Sequence, residues 1–252
     1  MKDQFNNAIE FISKQDVSGC ITGSVLLDIF PGESQDIDVF LYDEKSFTKM
    51  FYTMHFDSLF QILDPLENWK AESFMKKDEK LFSKFGLVTI KFIYNTCIPV
   101  NIILKKNCNN IFSVLSSFDL EIICKAYDIK TKQYLDLTNG TTVSKVSSFN
   151  SWNPAYSSDE IWEISRVLRQ LQRCFKYYKR GYDTDLVVKK YLELIENIDK
   201  YESVFNSLNF NERLENIKIN TAILKDICKT WLKNHKISDK ELKLLEETIK
   251  LI

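Results

Sequence analysis

"ITGSVLLDIFPGESQDIDVFLYD", residues 21–43, holds two acids one residue apart, Asp36 and Asp38, inside an otherwise apolar run. A strand sends alternate side chains to opposite faces. Asp36 and Asp38 therefore share one face, while Ile37, Val39 and Leu41 turn to the other. Carboxylates held side by side repel each other, and each has a desolvation cost. A divalent cation between them makes the arrangement favourable. Magnesium takes oxygen ligands, keeps several waters, and is commonly held by one or two carboxylates plus substrate phosphates. Two such ions about 3.5–4 Å apart can clamp the attacking and leaving oxygens of a phosphoryl or nucleotidyl transfer. Their own charge removes the repulsion.

Working outward from the acids, Gly23-Ser24 opens the short helical stretch "SVLLDIF", which "PGESQ" ends. Glycine allows close backbone approach, serine brings a hydroxyl, and a helix start offers unpaired N–H groups. Gly23 and Ser24 are thus candidates to hold triphosphate oxygens. Gly-Ser, a spacer, then acid-apolar-acid-apolar ("GS…DIDV") resembles the signature of the DNA polymerase β-like nucleotidyltransferase superfamily, which includes poly(A) polymerases, CCA-adding enzymes and antibiotic and toxin nucleotidyltransferases. The resemblance covers roughly the first 130 residues. It implies a small mixed sheet flanked by helices, Mg²⁺ (or Mn²⁺) at Asp36 and Asp38, and transfer of a nucleoside monophosphate from an NTP.

That superfamily usually carries a third carboxylate on a later strand in an apolar-acid-apolar context. The matching stretch here, "IPVNIILKK", has Asn101 in that place, which can accept through its carbonyl oxygen but brings no charge. A substitute stands in "SSFDLEIICKAYD": Asp119, flanked by Phe118 and Leu120, with Glu121 on its face by period two. If that segment is a strand beside "PVNII", Asp119 reaches the same space. If Asp119 is a turn residue, it does not. Both readings stand at this point.

The remaining pattern reads as a helix over 3–14, a strand over 17–22, helical spacing over 47–63 and 71–85, and a strand pair over 87–95 and 98–106. A short helix at 109–117 and a strand at 118–128 follow, then a polar stretch to about 157. Ser157 or Ser158 caps a helix with Asp159 and Glu160 in its first turn, and from there to Ile252 the pattern is helical almost throughout. The expected fold class is α+β: a catalytic domain over 1–150 with a mixed β-sheet flanked by helices, then an all-helical domain over 151–252.

Between 159 and 181 two stripes run along one helix. Ile164, Leu168, Leu171, Phe175 and Tyr178 make an apolar face, and Arg166, Arg169, Arg173, Lys176 and Arg180 follow on roughly the opposite one. Five cations in register suit a triphosphate or an RNA backbone, or else a solvated face. Trp152, just before the helix, closes the core or stacks on a base.

The whole-chain charge is balanced, 34 Lys and Arg against 35 Asp and Glu, which excludes a globally basic nucleic-acid binder and leaves room for a local basic face. Six cysteines are scattered without a CxxC, and there are two histidines, so a zinc site is not expected. Such cysteines read as reduced core thiols of a cytoplasmic protein. No apolar run reaches a membrane span, so no membrane partner is expected. The functional expectation is a metal-dependent nucleotidyltransferase with an NTP and, as acceptor, an RNA 3′ end. A small molecule or protein side chain as acceptor, or a non-catalytic nucleotide- or RNA-binding module, are the alternatives. Oligomeric state is not legible.

Overall fold

The computed structural model describes residues 2–27, 36–63, 87–153, 164–196 and 211–236. Contacts divide them into two units, one running to Gly140 and taking back residues 150–153, the other formed by Thr141–Phe149 and the helices beyond 164.

The first unit is a seven-stranded mixed sheet flanked by helices, an α+β arrangement. Its strands are β1 (Gly19–Thr22), β2 (Ile37–Leu41), β3 (Phe60–Ile62), β4 (Leu87–Tyr94), β5 (Ile98–Lys105), β6 (Lys125–Asp128) and β7 (Tyr134–Asp136). They lie in the order β3-β4-β5-β2-β1-β6-β7. Only β2 and β5 pair in parallel; the other neighbours are antiparallel. Parallel neighbours need a crossover. The chain between them supplies it with α2 (Glu44–Phe56), β3 and β4.

One face of this sheet is the main core. Ile37, Val39 and Leu41 of β2 join Val100, Ile102 and Leu104 of β5 and Ile90 and Phe92 of β4. Against them pack Phe5, Ala8 and Ile12 of α1 (Lys2–Ser13) and Phe47, Met50, Phe51 and Met54 of α2. Each helix set recurs every three or four residues, which lays it along one stripe. The start of α2 is anchored. The Asp43 carboxylate accepts from the Ser46 backbone N–H at 2.7 Å, and Ser46 Oγ accepts from the Ser18 N–H at 3.0 Å. At the head of β1, Gly19 lies where a Cβ would meet the Phe40 carbonyl oxygen at 2.5 Å, so only glycine lets β1 and β2 close there.

The opposite face carries a smaller apolar group, Cys20, Phe40, Ile103 and Ala126 from the sheet with Val114 and Leu115 of α3 (Ile111–Leu115). Asp36, Asp38 and Asn101 share this face.

Several sequence expectations shift. Helical spacing continues to 63, yet α2 stops at Phe56. Asp57 Oδ1 accepts from the Leu59 N–H at 2.8 Å, a local turn that breaks the ladder and releases β3. The strand expected over 118–128 is a turn, a 3₁₀ turn at Glu121–Ile123, and only then β6. Asparagines outcompete the strand: Asn150 Nδ2 donates to the carbonyls of Leu115 and Phe118 at 2.9 and 3.0 Å, and Asn153 Nδ2 to Phe118 at 2.8 Å. β6 pairs with β1 and β7, not with β5. In the polar stretch to 157 the sequence shows no element, but β7 and the short α4 (Thr141–Ser144) lie there. Of "SVLLDIF", Ser24–Leu26 is a 3₁₀ turn. The expected helix over 71–85 and the caps at Ser157 and Ser158 lie outside the described residues.

In the second unit, α5 (Ile164–Tyr178), α6 (Asp185–Glu196) and α7 (Asn211–Asn234) bury Leu171, Cys174 and Phe175, Val187, Val188 and Tyr191, and Leu224, Ile227, Cys228 and Trp231. Trp231 meets Phe175 at 4.4 Å and Tyr178 at 4.7 Å between ring centroids. No helix among the described residues is long and apolar enough to cross a membrane.

All six cysteines are free thiols, and only Cys97 is exposed. Burial pushes the Cys20 and Cys228 thiols up to about 12. Thiolates are the reactive form. A native sample treated with a maleimide at pH 7 should therefore take one label, at Cys97, and six after denaturation. Raised thiol pKa values also make native stability fall as the pH climbs past 9, where unfolded thiols ionise first. Rapid native labelling at more than one cysteine would contradict the packing described.

Candidate functional site

The site forms where three strands meet. Thr22 at the end of β1 opposes Asp38 in β2, and Asp38 opposes Asn101 in β5. Directly opposed residues project to the same face. Asp36, just before β2, joins them by alternation.

Asn101 holds the pair together. Its Nδ2 donates to Asp36 Oδ2 at 2.9 Å and to Asp38 Oδ1 at 2.8 Å. One amide nitrogen has two hydrogens, and each goes to a different carboxylate. Asn101 is buried at 8% exposure, whereas both aspartates stay partly open. The neutral amide screens two like charges without adding a third.

On the other side of Asp38 stands Gly23. Its backbone lies at φ 87°, ψ −160°, a region essentially confined to glycine. A Cβ there would sit 3.1 Å from Asp38 Oδ2. Glycine thus lets the turn lie directly against the carboxylate. Ser24 follows, buried, as the first residue of the 3₁₀ turn. The side chain of Thr22 is fixed beneath by a bond from Oγ1 to the Lys125 carbonyl at 2.8 Å. Gly23, Ser24, Asp36 and Asp38, four residues singled out from sequence, are therefore brought together.

Of the two readings of Asp119, the structure shows the turn. The residue belongs to the turn after α3, where its Oδ1 accepts from the Leu120 N–H at 2.9 Å and its carbonyl accepts from the Asn150 N–H at 2.9 Å. Glu121 is buried and accepts from the Asn139 side chain. Among the described residues, no group of three or more His, Cys, Asp or Glu side chains is arranged to hold a metal ion, and the segment that carries Asp119 is a turn and not a strand beside β5. The strand position beside Asp38 belongs to Asn101. Its sequence signal was the apolar-Asn-apolar pattern at the residue where an acid was sought.

The basic stripe lies in the second unit. Arg173 is half-buried and Lys176 exposed; the side chains of Arg166 and Arg169 lie outside the description. Arg180 falls past the end of α5, its guanidinium 5.6 Å from the centre of the Tyr177 ring. Trp152 is half exposed and meets Phe112 edge-on.

The donor set suits a hard cation. Two aspartates and the amide oxygen of Asn101, once the amide is turned, offer three oxygens of the kind magnesium takes. No family model matches this chain, and no characterised protein matches it in a sequence search.

The bridge makes a test. Asn101→Asp removes the double donor and places a third carboxylate against two others, which should destabilise the metal-free protein by about 1–3 kcal/mol at pH 7. Protonation relieves the repulsion, so the deficit should shrink as the pH falls towards 4, and millimolar Mn²⁺ should also reduce it. Equal urea midpoints for variant and wild type at pH 7 without metal would contradict the bridge.

Proposed function

We propose that the Asp36–Asp38–Asn101 face performs metal-dependent nucleotidyl transfer, moving a nucleoside monophosphate from an NTP to an acceptor hydroxyl. The supporting observation is the carboxylate pair bridged by Asn101 on one side and closed by the Gly23 turn on the other. Asp36 and Asp38 would hold Mg²⁺ or Mn²⁺, with the Asn101 amide oxygen as a neutral ligand. Such an ion supplies charge stabilisation for the phosphates and the leaving oxygen. Gly23 brings backbone close to Asp38, so that a phosphate on the cation held by Asp38 would also reach the Gly23 turn, where Ser24 follows. The core behind β2 and β5 holds the two aspartates rigidly, which the near-attack geometry of such a reaction requires.

A second reading is favoured by Asn101 itself. With an amide at the third position the face would bind metal and nucleotide without turning it over; a single experiment separates the two. Each α-labelled NTP is incubated with the protein, Mg²⁺ or Mn²⁺, and total RNA or cell lysate. Label on a macromolecule or small acceptor supports transfer. Metal-dependent nucleotide binding without product supports the binding module. Asp36→Asn and Asp38→Asn should each abolish transfer while leaving the fold intact, and activity within a few-fold of wild type in both would refute the assignment.

For the acceptor, the basic residues of α5 favour an RNA 3′ end. Each phosphate contact contributes roughly −0.7 to the log–log salt dependence of single-strand binding. Arg169→Ala/Arg173→Ala should flatten that slope and weaken all sequences alike, because backbone contacts position without specifying. An unchanged slope in this variant, with NTP affinity also unchanged, would leave α5 as a solvated face and point to a non-RNA acceptor.

A further inference from the structure

A row of directly opposed residues crosses the carboxylate face: Thr22 on β1, Asp38 on β2, Asn101 on β5 and Lys91 on β4. Direct opposition across an antiparallel pair sets Cβ atoms about 4.5–5.5 Å apart on one face. Lys91 is therefore the next side chain beyond Asn101, on the side away from Asp38 and the Gly23 turn.

Its setting is unusual for a lysine. Lysine is depleted in strands, and where it serves to blunt a sheet edge it sits on an edge strand. β4 is interior, paired with β5 along its length and with β3 beside this position, where the Leu63 N–H donates to the Lys91 carbonyl at 3.0 Å. Lys91 is exposed, and among the described residues no carboxylate pairs with it. An ammonium with no carboxylate partner among the described residues thus stands beside a neutral amide, at the end of the row opposite to the phosphate-holding turn.

A two-ion site sets one positive charge at the attacking oxygen and one at the leaving oxygen. Here Asp38 adjoins the Gly23 turn, Asp36 lies across the Asn101 amide from it, and the third position brings no charge to hold an ion on the far side. We propose that Lys91 supplies the positive charge at the attacking oxygen, so that this face works with one divalent ion instead of two. The inference rests on the nucleotidyl-transfer reading. In the step, the acceptor hydroxyl oxygen bonds to the α-phosphorus. The bond from that phosphorus to the β-phosphate oxygen breaks, and pyrophosphate leaves with the electron pair. The hydroxyl proton goes to solvent water, since an ammonium accepts none. Lys91 stabilises the negative charge that develops on the attacking oxygen, and Asn101 keeps the space beside it free of a competing carboxylate.

Two readouts on the full chain test this: bound Mn²⁺ counted by electron paramagnetic resonance, and nucleotide transfer. Wild type should bind one Mn²⁺ per chain, with or without a non-hydrolysable analogue of the transferred NTP. Lys91→Met should keep that count and bind Mn²⁺ several-fold more tightly, because a neighbouring positive charge is gone. Its kcat should fall on the order of 10²-fold, as for loss of one stabilising donor, with the NTP KM unchanged. Lys91→Arg should retain more activity than Lys91→Met. Asn101→Asp/Lys91→Met should bind a second Mn²⁺ and recover rate with a second-order dependence on metal. Unchanged kcat or unchanged Mn²⁺ affinity in Lys91→Met overturns the inference while leaving nucleotidyl transfer standing, and so does a rise in NTP KM alone. A wild type that binds Mn²⁺ but transfers from no NTP overturns the functional reading and this inference with it.

Discussion

The two hydrogen bonds from the Asn101 amide to Asp36 and Asp38 are what the site depends on. They let two like charges share one strand face with no cation between them. Removing a donor from such a pair leaves acceptors unsatisfied, which costs more than the bond itself contributes. An acid at the same position would repel both aspartates and make the metal-free site adverse. An asparagine makes the metal-free site tolerable and, on the proposed function, would bring one ligand charge fewer.

That bridge exists only because β2 and β5 run parallel in one register, with Asp38 level with Asn101. A slip of one residue would turn every side chain to the other face and bury the aspartates in the main core. The register is held from below. Ile37, Val39 and Leu41 lie beside Val100, Ile102 and Leu104, all in the layer covered by α1 and α2. The same alternation that packs the core therefore presents the acids. Gly19 adds a second constraint by allowing β1 to close on β2, which brings Gly23 against Asp38.

Much of this was legible in the sequence for a physical reason. Asp36 and Asp38 alternate with apolar residues, so their shared face follows from strand geometry, and Gly23 sits where only glycine fits. The strand pair expected over 87–95 and 98–106 formed as Leu87–Tyr94 and Ile98–Lys105. The 118–128 segment misled because its apolar content suits a strand, while the asparagines that capture its carbonyls, Asn150 and Asn153, lie some thirty residues on. A local pattern cannot show a distant donor. The end of α2 is hidden in a similar way, since the apolar spacing runs on to Leu63 while the break comes at Asp57, whose backbone turns extended and whose side chain accepts from the Leu59 N–H. Lys91 is a lone charge in a strand as far as the sequence goes; its meaning comes from standing opposite Asn101, a pairing that only the register sets.

The most direct test of the central claim is a crystal structure with Mn²⁺, using anomalous scattering to place the ion. The account predicts one anomalous peak between the Asp36 and Asp38 carboxylates, with the Asn101 amide turned so that its oxygen faces the ion. Absence of any peak at these aspartates under saturating Mn²⁺, with Asn101 Nδ2 still bonded to both, would contradict it.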